Sequence, residues 1–175
     1  MKDFVTLLQH RRSYRKFTSD KIELEDLKAI LSAGLMSPTS KNQNDWHFIV
    51  VDDSAVLEKL SNSKARGSQF LKNVPLAIAI AADSSNNDCW IEDCSIAAIS
   101  MQYQAMDLEI GSCWVQMRAR TAADGTPADE MVQDLLDIPE NMKVLCVIGF
   151  GYFEEKLPPH DDSNLKWDQV HQGKF

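Results

Sequence analysis

The residues best suited to chemistry lie near the start of the chain. Arg11-Arg12-Ser13-Tyr14-Arg15-Lys16-Phe17 sets four cations around the Ser13 hydroxyl. Guanidinium groups beside a hydroxyl suit a phosphate monoester, because each can direct two parallel N–H bonds at a pair of anionic oxygens. The same residues also make a solvated basic turn, since charge runs are common on surfaces. A second stretch, Ser37-Pro38-Thr39-Ser40-Lys41-Asn42-Gln43-Asn44-Asp45-Trp46, is rich in uncharged hydrogen-bonding side chains. Such groups can meet the carbonyls and ring nitrogens of a flat heterocycle, or simply face water.

Other patterns are missing. There is no GxSxG, no Walker A sequence, no HExxH and no catalytic carboxylate pair, which points away from hydrolases. Gly149-Phe150-Gly151 is too short for a dinucleotide fingerprint. Cys89, Cys94, Cys113 and Cys146 form no CxxC pair and the four His are scattered, so reduced thiols are expected and a metal site is not. An enzyme built from these parts needs a cofactor to carry its chemistry.

The chain has 175 residues, with 18 Lys and Arg against 26 Asp and Glu, a net charge of −8. That field repels polyanions, so neither nucleic acid nor an anionic membrane is an expected partner. The start of the chain has no apolar leader core and no stretch reaches 18 apolar residues, so a cytoplasmic location without a membrane span is expected.

Elements must hold the two polar stretches in place. Apolar spacing predicts helices over about 2–10, with Phe4, Leu7 and Leu8 on one face, and over about 23–36, with Leu24, Leu27, Leu31 and Leu35. Strands are predicted at 46–51, 76–82, 113–116 and 144–150, with short helices at 56–60 and 69–73. A long helix spans about 90–109 and is stopped by Gly111; Thr126 as N-cap and Pro127 at the first position open another, to about Leu136. The fold class is therefore α+β, a three-layer sandwich around one sheet, in a single domain over residues 1–175.

The long helix carries two apolar stripes. One is Ile91, Cys94, Ala98, Met101, Ala105 and Leu108; the other is Ile96, Ile99, Tyr103, Met106 and Ile110. In so short a chain, a helix apolar on two faces is either the central core helix of a monomer or part of a dimer interface, and the dimer is the favoured expectation. The tail, residues 152–175, has little periodicity and is either disordered or laid across something else.

Taken in order, these motifs resemble the FMN-dependent nitroreductases. The family's R-R-S-x-R-x-F pattern is met in full by Arg11 to Phe17. Its A-P-S-x-x-N-x-Q-P-W pattern is met at Pro38, Asn42 and Trp46 and conservatively at Thr39 and Asn44, while Asp45 stands where Pro is usual. A central Ala-rich helix opening on Glu92-Asp93, the turn Leu108 to Trp114 and the strand end Val147 to Tyr152 complete the match.

The resemblance implies a nitroreductase-like α/β/α sandwich with a mixed, largely antiparallel sheet, in an intertwined homodimer whose tails extend over the partner subunit. Arg11, Arg12, Ser13 and Arg15 would hold the phosphate and ribityl chain of FMN. Pro38, Thr39, Ser40, Asn42 and Asn44 would come from the other subunit and line the isoalloxazine edge. Trp114, Val115, Gln116 and Met117 would run past the ring, with a backbone N–H near flavin N5. Two positions depart from the family. Asp161-Asp162-Ser163-Asn164 replaces a basic pair that completes the phosphate site, with Lys156, His160 or Lys166 as substitutes, and Gln116-Met117 replaces Glu-Gly.

The implied activity takes a hydride from NADH or NADPH and reduces a small electron-poor acceptor, such as a nitroaromatic or quinone, by a ping-pong mechanism. Phe70, Tyr14, Trp90 and the segment 118–125 are candidates to cover the site. A non-catalytic FMN carrier or sensor is the alternative, and an interaction module without cofactor is a third reading.

Overall fold

The computed structural model describes residues 2–175. Its centre is a four-stranded sheet in the order β1-β2-β4-β3, built from β1 (Trp46–Val51), β2 (Leu76–Asp83), β3 (Gly111–Gln116) and β4 (Met142–Gly151). Every ladder is antiparallel, and the parallel element that makes the sheet mixed is a single bridge between Ser13 and Ser112. β2 and β4 are central, which explains why both read as continuous apolar runs.

Helices cover both faces. Ala77, Ala79 and Ala81 of β2 face α3 (Ser54–Ser61), the short turn Gln69–Asn73 and α5 (Ala128–Leu135). Leu76, Ile78, Ile80 and Ala82 face α2 (Leu24–Leu35) and α4 (Trp90–Asp107). The alternation slips at a bulge between Ile80 and Ala81, where Leu145 and Cys146 of β4 pack into the same layer.

α1 (Phe4–His10) opens on Asp3, whose carboxylate accepts the Thr6 N–H at 3.0 Å and the Thr6 hydroxyl at 2.7 Å. It lies on α4, with Phe4 edge-on to Tyr103 at 5.4 Å. Lys2 reaches the C-terminal end of that helix, donating from Nζ to the carbonyls of Met106 at 2.9 Å and Asp107 at 3.1 Å. α4 has no basic residue in its own last turn, so Lys2 supplies the cation its carbonyls favour.

Two boundaries differ from the sequence reading. α4 is ended not by Gly111 but by Glu109, which takes the left-handed φ of 58° while Ile110 N–H bonds back to Ala105 O at 2.8 Å. Gly111 instead starts β3, and a Cβ there would meet Tyr14 at 3.0 Å and Phe153 at 3.1 Å. Pro127, not Thr126, caps α5, because Thr126 is held in a turn with its N–H on the Asp124 carboxylate at 3.0 Å.

The long helix is covered unevenly. Its first stripe is mostly buried, whereas Ile96 is exposed and Ile99 and Tyr103 are half-buried. Beyond Gly151 the tail carries two short turns, Asp162–Asn164 and Trp167–Gln169, and residues 158–175 are exposed throughout.

Candidate functional site

The basic segment follows α1 as an extended run along the outer edge of β3. Tyr14 N–H donates to Ser112 O at 3.0 Å, and Thr18 N–H donates to Tyr152 O at 2.8 Å. Tyr14 and Phe17 are buried, so the alternating residues Ser13 and Arg15 stay exposed beside the strand. Tyr14 stacks on Phe153 at 4.4 Å, and its hydroxyl accepts the Leu157 N–H at 3.3 Å. The anchor is apolar and the cations are free to act.

Only the Ser112 end of β3 is paired by this run. Because Ser112 O points away from β4, the same alternation turns the backbone N–H and C=O of Trp114 and Gln116 to the open edge. The side chains brace one another: Trp114 Nε1–H donates to Gln116 Oε1 at 3.0 Å, and Gln116 Nε2–H donates to Arg118 O at 3.0 Å. Val115 and Met117 point into the core.

Cys113 lies on the inner side of this edge, among cations. Burial pushes its thiol up, while Arg15, a hydrogen bond with Ser13, and then Arg11 and Lys64 pull it down. Lys64 donates from Nζ to Gln116 O at 3.4 Å; its pKa is lowered by burial and by neighbouring Arg120, while Cys113 opposes the shift. Among the described residues, Arg11, Arg12, Arg15 and Lys64 have no carboxylate within 4.0 Å. In a chain of net charge −8, an open strand edge flanked by unpaired cations suits an anionic molecule with a polar flat ring.

The polar loop stands elsewhere. It joins α2 to β1, at the opposite edge of the sheet, and three strand spacings of about 4.8 Å put β1 about 14 Å from β3. Thr39 Oγ1 accepts the Asn44 N–H at 3.0 Å, and Lys41, Asn42 and Asn44 all take positive φ. Asp93, buried on α4, holds the loop by accepting Ser40 N–H at 2.8 Å and Asn87 Nδ2–H at 2.9 Å. Among the described residues, Gln43 Oε1 and Trp46 Nε1 are buried without a partner. One chain thus does not bring Pro38, Thr39, Ser40, Asn42 and Asn44 to the basic segment.

The tail candidates also separate. Lys156 lies 3.8 Å from Glu109, and the next residues run beside α1, where His160 N–H donates to Gln9 O at 2.8 Å and Arg12 Nη1 to Pro158 O. Lys166 lies farther out, on a surface shared with Leu165, Trp167 and Val170. Of the candidate covers, Phe70 packs near Phe17, with ring centroids 6.2 Å apart, and Tyr14 is core.

Sequence reasoning missed Lys64 and gave Asp93 no role. Each acts across more than fifty residues, Lys64 on Gln116 and Asp93 on Ser40, and no local pattern marks either.

Comparison with known proteins agrees with this geometry. The nitroreductase family profile matches residues 8–69 and 55–152. A solved FMN-dependent nitroreductase of Clostridium difficile R20291 superposes with a TM-score of 0.95 at 44% identity, covering 98% of this chain and 100% of that one. A relative from Archaeoglobus fulgidus, provisionally named an NADH dehydrogenase/NAD(P)H nitroreductase, is 32% identical over 180 residues, the full length of both chains. A similarly named solved structure from Bacteroides thetaiotaomicron gives a TM-score of 0.90 at 26% identity over 100% of this chain and 99% of that one. With its antiparallel sheet, covering helices and basic N-terminal run, the chain belongs to the nitroreductase family of oxidoreductases.

Proposed function

We propose that the protein is a homodimeric, FMN-dependent NAD(P)H oxidoreductase that reduces a small electron-poor acceptor, a nitroaromatic or a quinone, by a ping-pong mechanism. The observation that carries this reading is the open edge of β3, flanked by Arg11 and Arg15 and by Lys64, none of them neutralised by a carboxylate. These residues fit FMN, which joins a phosphate to a ring with hydrogen-bonding edges.

Arg11, Arg12 and Ser13 bind the phosphate and ribityl chain. Arg15 and Lys64 hold a positive field along the strand edge, which favours negative charge on a ring seated there. Trp114, Val115, Gln116 and Met117 present that edge, and Gln116 offers its N–H to a ring nitrogen. Bound there, FMN supplies hydride acceptance from the nicotinamide and delivery to the acceptor. Donor and acceptor occupy the same cleft in turn, and protons come from water at the open edge. Pro38, Thr39, Ser40, Asn42 and Asn44 enter from the partner subunit, which accounts for a loop too far from β3 in its own chain. Lys156 completes the near phosphate site, and the tail beyond His160 lies over the partner, with Lys166 reaching across.

The purified protein is expected to be yellow and to bleach when NADH or NADPH is added without oxygen. A colourless protein that cannot be loaded with FMN would remove the flavin reading. A yellow protein bleached by neither nicotinamide would leave an FMN carrier. Arg11→Ala is expected to weaken FMN retention roughly 10- to 100-fold, the scale of a lost charge-assisted bond, while exposed Lys59→Ala does not. Equal retention in both variants would take the phosphate site away from Arg11.

A further inference from the structure

A second group of cations lies past the Gln116 end of β3. Lys64, Arg66 and Arg120 surround a depression of about 470 Å³, completed by Ala65, Ala119 and Thr121. Two loops are locked together to make it. Ala65 N–H donates to Thr121 O at 3.0 Å, Arg120 N–H to Met117 O at 3.0 Å, and Ala128 N–H to Arg120 O at 2.8 Å. Ala119 holds a left-handed φ of 56° at the corner.

This arrangement is electrostatically unfavourable when empty. Burial disfavours the charge on Lys64, and neighbouring Arg120 adds to the cost. The acids outnumber the bases in this chain by eight, yet none lies within 4.0 Å of Lys64, Arg66 or Arg120 among the described residues. Arg120 donates to its neighbour's carbonyl, Ala119 O, at 2.7 Å, and Arg66 has no hydrogen bond to a described residue. An oxyanion bound between them would relieve the repulsion and use the free donors.

We propose that Lys64, Arg66 and Arg120 form a second anion subsite, distinct from the Arg11–Arg15 segment, that takes a carboxylate or phosphate group borne by the small molecule reacting at the β3 edge. Lys64 touches both the strand edge, through Gln116 O, and the depression. A donor or acceptor seated in the cleft beside β3 therefore extends its anionic group toward Arg66 and Arg120. The assignment of that molecule as electron donor or acceptor rests on the proposed function; the anion subsite itself does not. The net charge of −8 disfavours a polyanion as the ligand.

Pyrophosphate is the probe for the subsite, titrated calorimetrically into the cofactor-free full chain. The Arg66→Gln/Arg120→Gln variant is expected to lose a binding component that Arg11→Gln retains, with affinity reduced about tenfold or more. Both arginines are exposed, so thermal unfolding should report an intact fold. Pyrophosphate binding equal to that of the unaltered protein would overturn the proposal. FMN-loaded protein then separates the two sources. If the anion belongs to the donor, the double variant lowers the preference for NADH over the phosphate-free 1-benzyl-1,4-dihydronicotinamide about tenfold. If it belongs to the acceptor, the preference for 4-nitrobenzoate over nitrobenzene falls instead. A variant that alters neither preference would overturn the link to the reacting molecule. Failure of the unaltered protein to take up FMN would sink the flavin reading alone, because the pyrophosphate titration still decides the subsite.

Discussion

Asp93 illustrates how a single buried side chain organises a loop. Two donors converge on it, the Ser40 N–H and the Asn87 side-chain amide, and it is nearly inaccessible to water. Asp93→Ala strands both donors, and a buried unsatisfied donor costs about 1–3 kcal/mol. The expected outcome is a lower denaturation midpoint with faster hydrogen exchange at Ser40; an unchanged exchange rate would mean the loop is held elsewhere. The four thiols divide in the same way by environment. Burial raises Cys94 to about 12 and pushes Cys146 and Cys113 up, so little thiolate forms at any of them. A thiol reagent near neutral pH should modify half-buried Cys89 first, with the other three reacting only after unfolding. Glu109 carries the pH dependence at this scale. A hydrogen bond from Lys2, helped by the charges of Lys2 and Lys156, holds its carboxyl below its ordinary 4.5. That stabilisation is present above the ordinary value and lost as pH falls through the lowered one. Glu109→Gln should therefore flatten the fall in urea midpoint as pH drops below the ordinary carboxylate range. At this scale the sequence was informative where spacing is local, as in Arg11 to Phe17. It was silent where one residue serves another far along the chain, as with Lys64 and Asp93.

Elements position the site by leaving room for aromatic anchors. Phe17 passes over Gly151, where an added Cβ would sit 2.7 Å from Pro75 and 3.0 Å from Phe17. Gly149 gives the same clearance to Phe70, at 2.9 Å. The short glycine motif at the end of β4 is thus a seat for the segment beside the site, and no phosphate loop. Gly151→Ala should overpack that seat, at a cost of about 1–3 kcal/mol, and displace the basic run from β3. Calorimetric melting tests the first effect and FMN affinity the second. Strong periodicity and apolar runs make β2, β4, α2 and α4 legible in the sequence. Element ends were harder, because Glu109 and Pro127 do their work against ordinary residue preferences: a non-glycine takes the left-handed cap, and a proline precedes its helix where a threonine was expected to cap. Those choices are settled by Tyr14 beside Gly111 and by Asp124 beside Thr126, both tertiary or turn contacts.

Over the whole molecule, apolar surface is unevenly spent. Phe4 and Val5 of α1 are 61% and 60% exposed, Met36 after α2 is 78% exposed, and Ile96 on α4 is uncovered as well. In the tail, Leu165, Trp167 and Val170 are bare, with Trp167 at 72%. A second copy of the chain is the proposed cover for these groups. Met36→Glu should shift the sedimentation profile toward the monomer and reduce FMN retention together; loss of FMN without dissociation would separate the two. The architecture of one chain was legible because its sheet is internally complete. The proposed assembly shows in the sequence only as a surplus, an extra apolar stripe on α4 and a tail with little periodicity.

The width of the sheet has a further consequence. The polar loop and the basic run lie on opposite edges, so in the proposed dimer two chains must meet before either cleft gains both walls. Under the proposed function, cofactor uptake would be linked to association by mass action: FMN would tighten the dimer, and dilution of the protein would release FMN. Flavin occupancy in such a molecule reports protomer concentration as much as flavin supply.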